Sequence, residues 1–282
     1  MTPARDRSDR RVDVALIQVA SPPEESIAER RRRVGELVLS ASGADLIVLP
    51  ELWAVGYLNF DDYASAAESG AGTTLTDACA WGRETGSFIH VGSFVERLTA
   101  GGLRNTAVLV DPSGEVVHRY SKIHVFGYQS RESELLEAGE NLSSTDTALG
   151  RMAATTCYDL RFPGLWSTLS TARPEVVNVP AAWPLRRLSH WQLFTSVRAV
   201  EGQTFVIACN ATGIHAGTEL GGHSRIVDPW GEVLAEAGTD EGITRCTIDL
   251  AMVAEVRQEF PVLDDRLDSY QGLISLTPTE ES

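Results

Sequence analysis

Three residues in this chain carry side chains suited to nucleophilic and acid–base chemistry: a thiol, a carboxylate and an amine. Cys157 ends Met152-Ala153-Ala154-Thr155-Thr156-Cys157, a strand-like run. A polar turn follows it, which Pro163 can lead into a helix. Glu51 follows the apolar run Leu46-Ile47-Val48-Leu49-Pro50. Desolvation raises the pKa of a carboxylate at the end of a buried strand, which suits general acid or base work. Lys122 follows the second strand of a predicted hairpin, in Tyr120-Ser121-Lys122-Ile123-His124. Each residue taken singly also has a plain structural explanation: a buried free thiol, a capping or surface glutamate, and a solvated edge lysine. His124, His190 and His223 could each serve the thiol as a base, and spacing alone selects none of them. Zinc-ligand spacing is missing from the same residues, so no metal is expected.

The elements that must position these residues emerge from patterning over 282 residues, 43% of them hydrophobic and 22% charged. That length and balance suit a globular enzyme with a full core. A net charge of −15 argues against a nucleic-acid partner. No apolar run approaches the roughly 18 residues of a membrane span, so no membrane is expected. The four scattered cysteines form no CxxC pair; Cys79, Cys209 and Cys246 read as buried free thiols, as in a reducing cytoplasm. Residues 1–10 read as a disordered polar tail, 11–260 as a single domain, and 261–282 as a C-terminal extension that could clasp a partner.

A weak internal repeat organises the domain. Val110-Asp111-Pro112-Ser113-Gly114-Glu115-Val116 recurs as Val227-Asp228-Pro229-Trp230-Gly231-Glu232-Val233, an offset of 228 − 111 = 117 residues. Both read as a strand, a D-P-x-G turn and a returning strand. Upstream, Asp45–Pro50 resembles Glu175–Pro180, each a strand buried on both faces. The first half reads as strand 12–19, helix 24–41, strand 45–49, helix 74–85, strand 87–94 and hairpin 106–121. The second half repeats this order as strand 151–157, helix 164–171, strand 175–179, helix 187–200, strand 203–210 and hairpin 223–238. A strand near 243–249 and a helix near 250–259 follow. Strand–helix alternation covers one sheet face with helices, and two such halves bury their bare faces against each other. The predicted fold is α/β: a four-layer α-β-β-α sandwich with two pseudo-symmetric halves. The run Arg30–Arg33 is expected as a solvated helix face, with Glu29–Arg33 and Arg32–Glu36 pairs.

The segments Pro50-Glu51, Ser121-Lys122-Ile123-His124 and Cys157–Pro163, in this order, resemble the nitrilase superfamily of carbon–nitrogen hydrolases. Trp183-Pro184, His190-Trp191, Arg198-Ala199, Glu201, Asn210 and Gly222-His223-Ser224 resemble that family's second-half pattern, and the likeness runs from about residue 12 to 250. It implies the same four-layer fold and a catalytic Glu51-Lys122-Cys157 triad. It also implies a second glutamate, best matched by Glu132, with Glu134 and Glu137 as fallbacks. Glu51 would be the proton carrier and Lys122 an oxyanion donor, with the Tyr158 backbone N–H as a second donor. No cofactor is required.

The same segments are most similar to amidases of small linear amides, among them ω-amidases of 2-oxo acid amides, releasing ammonia through a Cys157 thioester. Arg161 is a candidate carboxylate clamp or a structural partner of Asp159. Trp183, Phe126 and Tyr128 are candidate pocket walls. A nitrilase, an N-carbamoyl amidohydrolase and a catalytically silent interaction module are the alternatives. The resemblance also implies a homo-oligomer, a dimer or higher.

Overall fold

The computed structural model describes residues 10–267 and 269. Its strands are β1 (Arg11–Gln18), β2 (Leu46–Val48), β3 (Phe88–Arg97), β4 (Leu103–Val110), β5 (Val116–Ser121), β6 (Ser144–Thr147), β7 (Gly150–Ala154), β8 (Val176–Ala181), β9 (Phe205–Asn210), β10 (Thr212–His215), β11 (Thr218–Gly221), β12 (Arg225–Val227), β13 (Val233–Glu236) and β14 (Gly242–Asp249). The α-helices are α1 (Ile27–Ser40), α2 (Tyr63–Ala66), α3 (Thr73–Thr85), α4 (Glu132–Leu135), α5 (Pro163–Leu169), α6 (Leu188–Gly202) and α7 (Ala251–Glu259).

Two six-stranded sheets result, ordered β14-β1-β2-β3-β4-β5 and β13-β12-β9-β8-β7-β6. In each, three consecutive strands run parallel: β1, β2 and β3 in the first, β7, β8 and β9 in the second. An antiparallel strand closes one edge, and the hairpin of the sequence repeat closes the other. The two D-P-x-G turns use the same device. Asp111 Oδ1 accepts from the backbone of Ser113 and Glu115, and Asp228 Oδ1 from that of Trp230 and Glu232.

Side-chain alternation along the strands makes four layers. Val12, Val14, Leu16, Leu46 and Val48 face Met152, Val176, Phe205 and Ile207 between the sheets. Their neighbours Ala15, Ile17 and Ile47 face α1 and α3 through Val34, Val38, Ala78 and Trp81. On the far side Ala153, Val177 and Val179 meet Leu165, Trp166, Leu169, Trp191 and Ala199 of α5 and α6. The expected α-β-β-α sandwich is the observed one.

Helix α1 starts where Ser26 and Glu29 form a capping box. Its arginine run departs from the expected solvated face. Arg30 is 1% exposed and donates to Glu25, to Ala54 O and to Pro22 O. Arg33 pairs with Glu25 and Glu241, and Arg31 with Glu68, so only Arg32 of the four is exposed. Cys79 and Cys246 are partly exposed rather than buried; Cys209 is buried as expected.

Of the predicted tail 1–10, residues 1–9 lie outside the described residues. Arg10 pairs with Glu175 at 2.6 Å. Of the extension, residues 268 and 270–282 lie outside them. Its start packs on the second half: Arg266 donates to Ser170 Oγ at 2.9 Å, and Gln203 donates to Phe260 O at 2.6 Å.

Candidate active site

The thiol, carboxylate and amine do meet, and each arrives by a different local device. Pro50 and Glu51 continue from β2 into the seam between the halves. Their path requires Gly92, a bulge residue of β3 with φ +69°, where a Cβ would stand 1.8 Å from Pro50 O. Beyond this point Glu51 N lies 3.4 Å from Ala181 O of the other sheet. Lys122 leaves β5 with its N–H on Asn105 O at 2.9 Å, which fixes its register on β4.

Cys157 lies past the end of β7, in a 3₁₀ turn spanning Cys157–Arg161, and not in the strand expected over 151–157. Its φ is +48°, a conformation L-residues occupy only when their surroundings hold them there. Asp159 supplies that hold. Its carboxylate accepts from Thr156 N at 3.0 Å, His124 N at 2.9 Å, His124 Nδ1 at 2.8 Å and Tyr120 Oη at 2.6 Å. Asp159 therefore does not pair with Arg161, the structural alternative raised from the sequence.

The cluster around Lys122 is closed to solvent. Lys122 Nζ donates to Glu51 Oε1 at 2.8 Å and to Glu132 Oε1 and Oε2 at 2.8 and 3.0 Å, with all three side chains fully buried. Glu132 starts α4, and its Oε2 also accepts from Tyr57 Oη at 2.9 Å and Phe126 N at 3.1 Å. Of the candidates for the second glutamate, Glu134 and Glu137 are exposed. Glu51 Oε2 accepts from Ala182 N at 2.9 Å, and the carboxylate interacts electrostatically with the Cys157 thiol. Asn105 Nδ2 donates to Glu51 at 2.8 Å and to Glu132 at 3.3 Å.

The electrostatics follow from this burial. Desolvation pushes the Glu51 pKa up, and the Lys122 charge opposes the shift without cancelling it. Burial would lower the Lys122 pKa, but the charges of Glu132 and Glu51 reverse that and hold it well above the usual range. Burial and the Glu51 charge push the Cys157 thiol well up against the pull of Lys122. Both influences favour a neutral thiol at Cys157, next to the Glu51 carboxylate. The three histidines offered as bases are engaged elsewhere: His124 with Asp159, His223 with Glu236 and His190 with Arg161.

A cleft opens onto the thiol. Phe126, Tyr158, Arg161 and Trp183 line it with Cys157. Phe126 and Tyr158 meet edge to face at 4.9 Å, and Arg161 stacks over Trp183 at 4.6 Å. Tyr128 is 66% exposed and is not among the cleft residues. Sequence reasoning missed Tyr57, Asn105 and Arg187. No local motif marks them, although a lone asparagine inside the apolar strand β4 is the kind of buried polar residue that needs a partner.

Residues 13–258 match the family described as Carbon-nitrogen hydrolase. The chain is 39% identical over 262 residues to a 2-oxoglutaramate amidase of Paenarthrobacter nicotinovorans, covering 90% of this chain and 89% of that one. It is 40% identical over 230 residues to a 2-oxoglutaramate amidase of Bacillus subtilis, covering 80% and 87%. Among solved structures, a CN-hydrolase superfamily protein of Xanthomonas campestris with an arsenic adduct in its active site superposes with a TM-score of 0.85 at 27% identity. That match covers 93% of this chain and 99% of the other.

Proposed function

The chain belongs to the carbon–nitrogen hydrolase family, and from that membership we propose that it hydrolyses small linear carboxamides to acid and ammonia at Cys157. The observation that carries the reading is the buried Glu51–Lys122 ion pair, whose two charges act on the Cys157 thiol that lines an open cleft. The relatives named 2-oxoglutaramate amidase support amides over nitriles and carbamoyl compounds.

The reaction proceeds by proton exchange on Glu51. Glu51 takes the thiol proton as Cys157 Sγ bonds to the amide carbon. Lys122 Nζ and the Tyr158 backbone N–H stabilise the resulting oxyanion. One such donor is typically worth about 3–4 kcal/mol. The C–N bond then breaks, and Glu51 gives its proton to the departing nitrogen, which leaves as ammonia. A water molecule loses a proton to Glu51 as its oxygen attacks the thioester; the C–S bond breaks and the proton returns to sulfur. Glu132, bonded on both oxygens, orients Lys122.

The domain assignment is one hydrolase domain over 11–260. Four free thiols support a cytoplasmic setting. Leu193 and Val200, exposed on α6, support a homo-oligomer, which light scattering would test. The decisive experiment for function is a screen of small amides, nitriles and carbamoyl compounds with ammonia detection, using Cys157→Ala as the blank. Amide-dependent ammonia release absent from Cys157→Ala is expected. Release that persists in that variant would overturn the nucleophile assignment.

A further inference from the structure

Part of the cleft wall is made by two pieces of chain from different halves. Tyr57 and Leu58 come from the loop that leaves β2 through Glu51; Thr218 and Leu220 come from the β10–β11 hairpin. The hairpin is held at its base, where Thr212 N donates to Val19 O at 3.0 Å and Gly221 N to Trp183 O at 2.7 Å. Its tip turns through Ala216 and Gly217, both at positive φ, and projects beyond these bonds with Ile214 exposed. Strand alternation puts His215, Thr218 and Leu220 on one face of the hairpin, and Ile214 and Glu219 on the other.

One bond ties this tip to the first half. His215 Nε2 lies 2.9 Å from Asn59 Oδ1. Asn59 Nδ2 donates to Val55 O at 2.8 Å, so the amide presents its oxygen to the ring and His215 donates from Nε2. The ring is 1% exposed and lies against Gly56, at φ +82°, where a Cβ would stand 2.6 Å from His215 Cε1. His215 Nδ1 is buried and accepts from no donor, so the bonded ring is the neutral Nε2–H tautomer. Among the described residues no other hydrogen bond leads from residues 214–218 to another element.

A second proton on this ring would meet no acid. The charged group beside it is Arg30 of α1, whose own carboxylate partner is Glu25. The loop packed on the ring contributes Gly56 and Asn59, both uncharged. Asp61 and Asp62, just beyond, are exposed, and Asp61 pairs with Arg131. Glu219 points to the far face of the hairpin. Burial, and then the Arg30 charge, lower the His215 pKa.

We propose that neutral His215 is a latch: its bond to Asn59 holds the β10–β11 hairpin against the Tyr57 loop, fixes the width of the cleft, and releases when the ring takes up a proton. His215 touches no reacting atom; it is a positioning residue for the wall. The inference takes the Cys157 cleft as the substrate site, so it rests on the amidase reading and adds acid control of binding to it. A released ring titrates in the ordinary histidine range, about 6.5, and the latched ring lower, so protons favour the open hairpin. Between about pH 7.5 and 5.5 the ratio of latched to open hairpin falls by up to roughly tenfold.

Hydrogen exchange reads the latch without turnover. In the full-length protein, exchange of the β10–β11 amides, corrected for its intrinsic pH dependence, should rise severalfold, and by no more than about tenfold, across that pH interval. His215→Gln keeps a neutral N–H for Asn59 and should abolish the rise. His215→Ala and Asn59→Ala should exchange fast at both ends of the interval. The comparison of wild type with His215→Gln stands even where an alanine variant does not fold. In ammonia-release assays His215→Ala should raise KM severalfold and leave kcat nearly unchanged. The wild-type KM divided by that of His215→Gln should climb as pH falls, a ratio in which the titration of Glu51 cancels. Exchange that ignores pH in the wild type, or a His215→Gln protein that behaves like His215→Ala, would overturn the latch. A hairpin that opens in acid while that KM ratio stays flat would overturn its hold on the cleft. A protein that releases no ammonia from any amide defeats the amidase reading instead, and exchange then decides the latch on its own.

Discussion

Asn105 donates to Glu51 at 2.8 Å across 54 residues of sequence, inside a cluster that already holds two carboxylates and one ammonium. It brings hydrogen bonds without charge. A hydrogen bond to the ionised form of an acid lowers its pKa, so Asn105 works against the burial that raises the pKa of Glu51. The proposed cycle needs Glu51 ionised at its start. Asn105→Ala is therefore expected to move the acid limb of the kcat/KM profile to higher pH and to lower the plateau. A profile of unchanged shape would mean that Asn105 only fills space.

Glu132 acts in the opposite sense. Burial is the largest influence on Glu51, the Lys122 charge opposes it, and the Glu132 charge raises the Glu51 pKa further. Glu132→Gln removes that charge and keeps the shape. The acid limb should shift to lower pH, the reverse of Asn105→Ala, while kcat falls because Lys122 loses the carboxylate that orients it. Both profiles can be taken with one amide by ammonia release.

Lys122 has a structural as well as a chemical consequence. Lys122→Met leaves Glu51 and Glu132 facing each other, buried, with no cation between them. Breaking a buried ion pair on one side costs about 3–5 kcal/mol unless the acids take up protons. Denaturant unfolding should report a loss of that order, smaller at acid pH where protonation removes the repulsion. Turnover should fall in kcat rather than rise in KM, because the oxyanion exists only beyond the ground state.

Gly92 tests the backbone that delivers Glu51. Gly92→Ala places a methyl against Pro50 O at a φ of +69°, which costs about 1–3 kcal/mol in backbone strain alone. The strand must yield, and Glu51 is the next residue along. Both the thermal midpoint and kcat should drop, although Gly92 is one shell removed from any reacting atom. A stable variant with full kcat would show that the seam tolerates the shift.

How far these features were legible before folding depends on whether their cause is local. Leu46–Pro50 and Val176–Pro180 announced central strands by their apolar runs, and the paired D-P-x-G turns announced the duplication. Cys157, Glu51 and Lys122 were visible as residues at strand ends, but only the family resemblance joined them. Asn105 was silent because its role comes from sheet register: Lys122 N bonds Asn105 O, and that pairing lays the amide between the glutamates. The β10–β11 hairpin was missed although Gly217, at φ +75°, marks its turn; the other turn residue, Ala216 at φ +44°, is a type rarely found in that conformation. The burial of Arg30 was equally hidden, since its acceptors Pro22 O and Ala54 O belong to loops on either side of α1.

The protonated resting state of Cys157 also bears on durability. Peroxides and other oxidants attack thiolates, climbing from sulfenic to irreversible sulfinic acid. Here burial and the Glu51 charge favour the protonated sulfur, and in the proposed cycle Glu51 takes that proton only as sulfur bonds to the substrate carbon. Between turnovers the enzyme presents little of the species that oxidants consume. In the proposed mechanism its reactivity is reserved for carbonyl carbon, and the same seam that would assemble the catalyst preserves it.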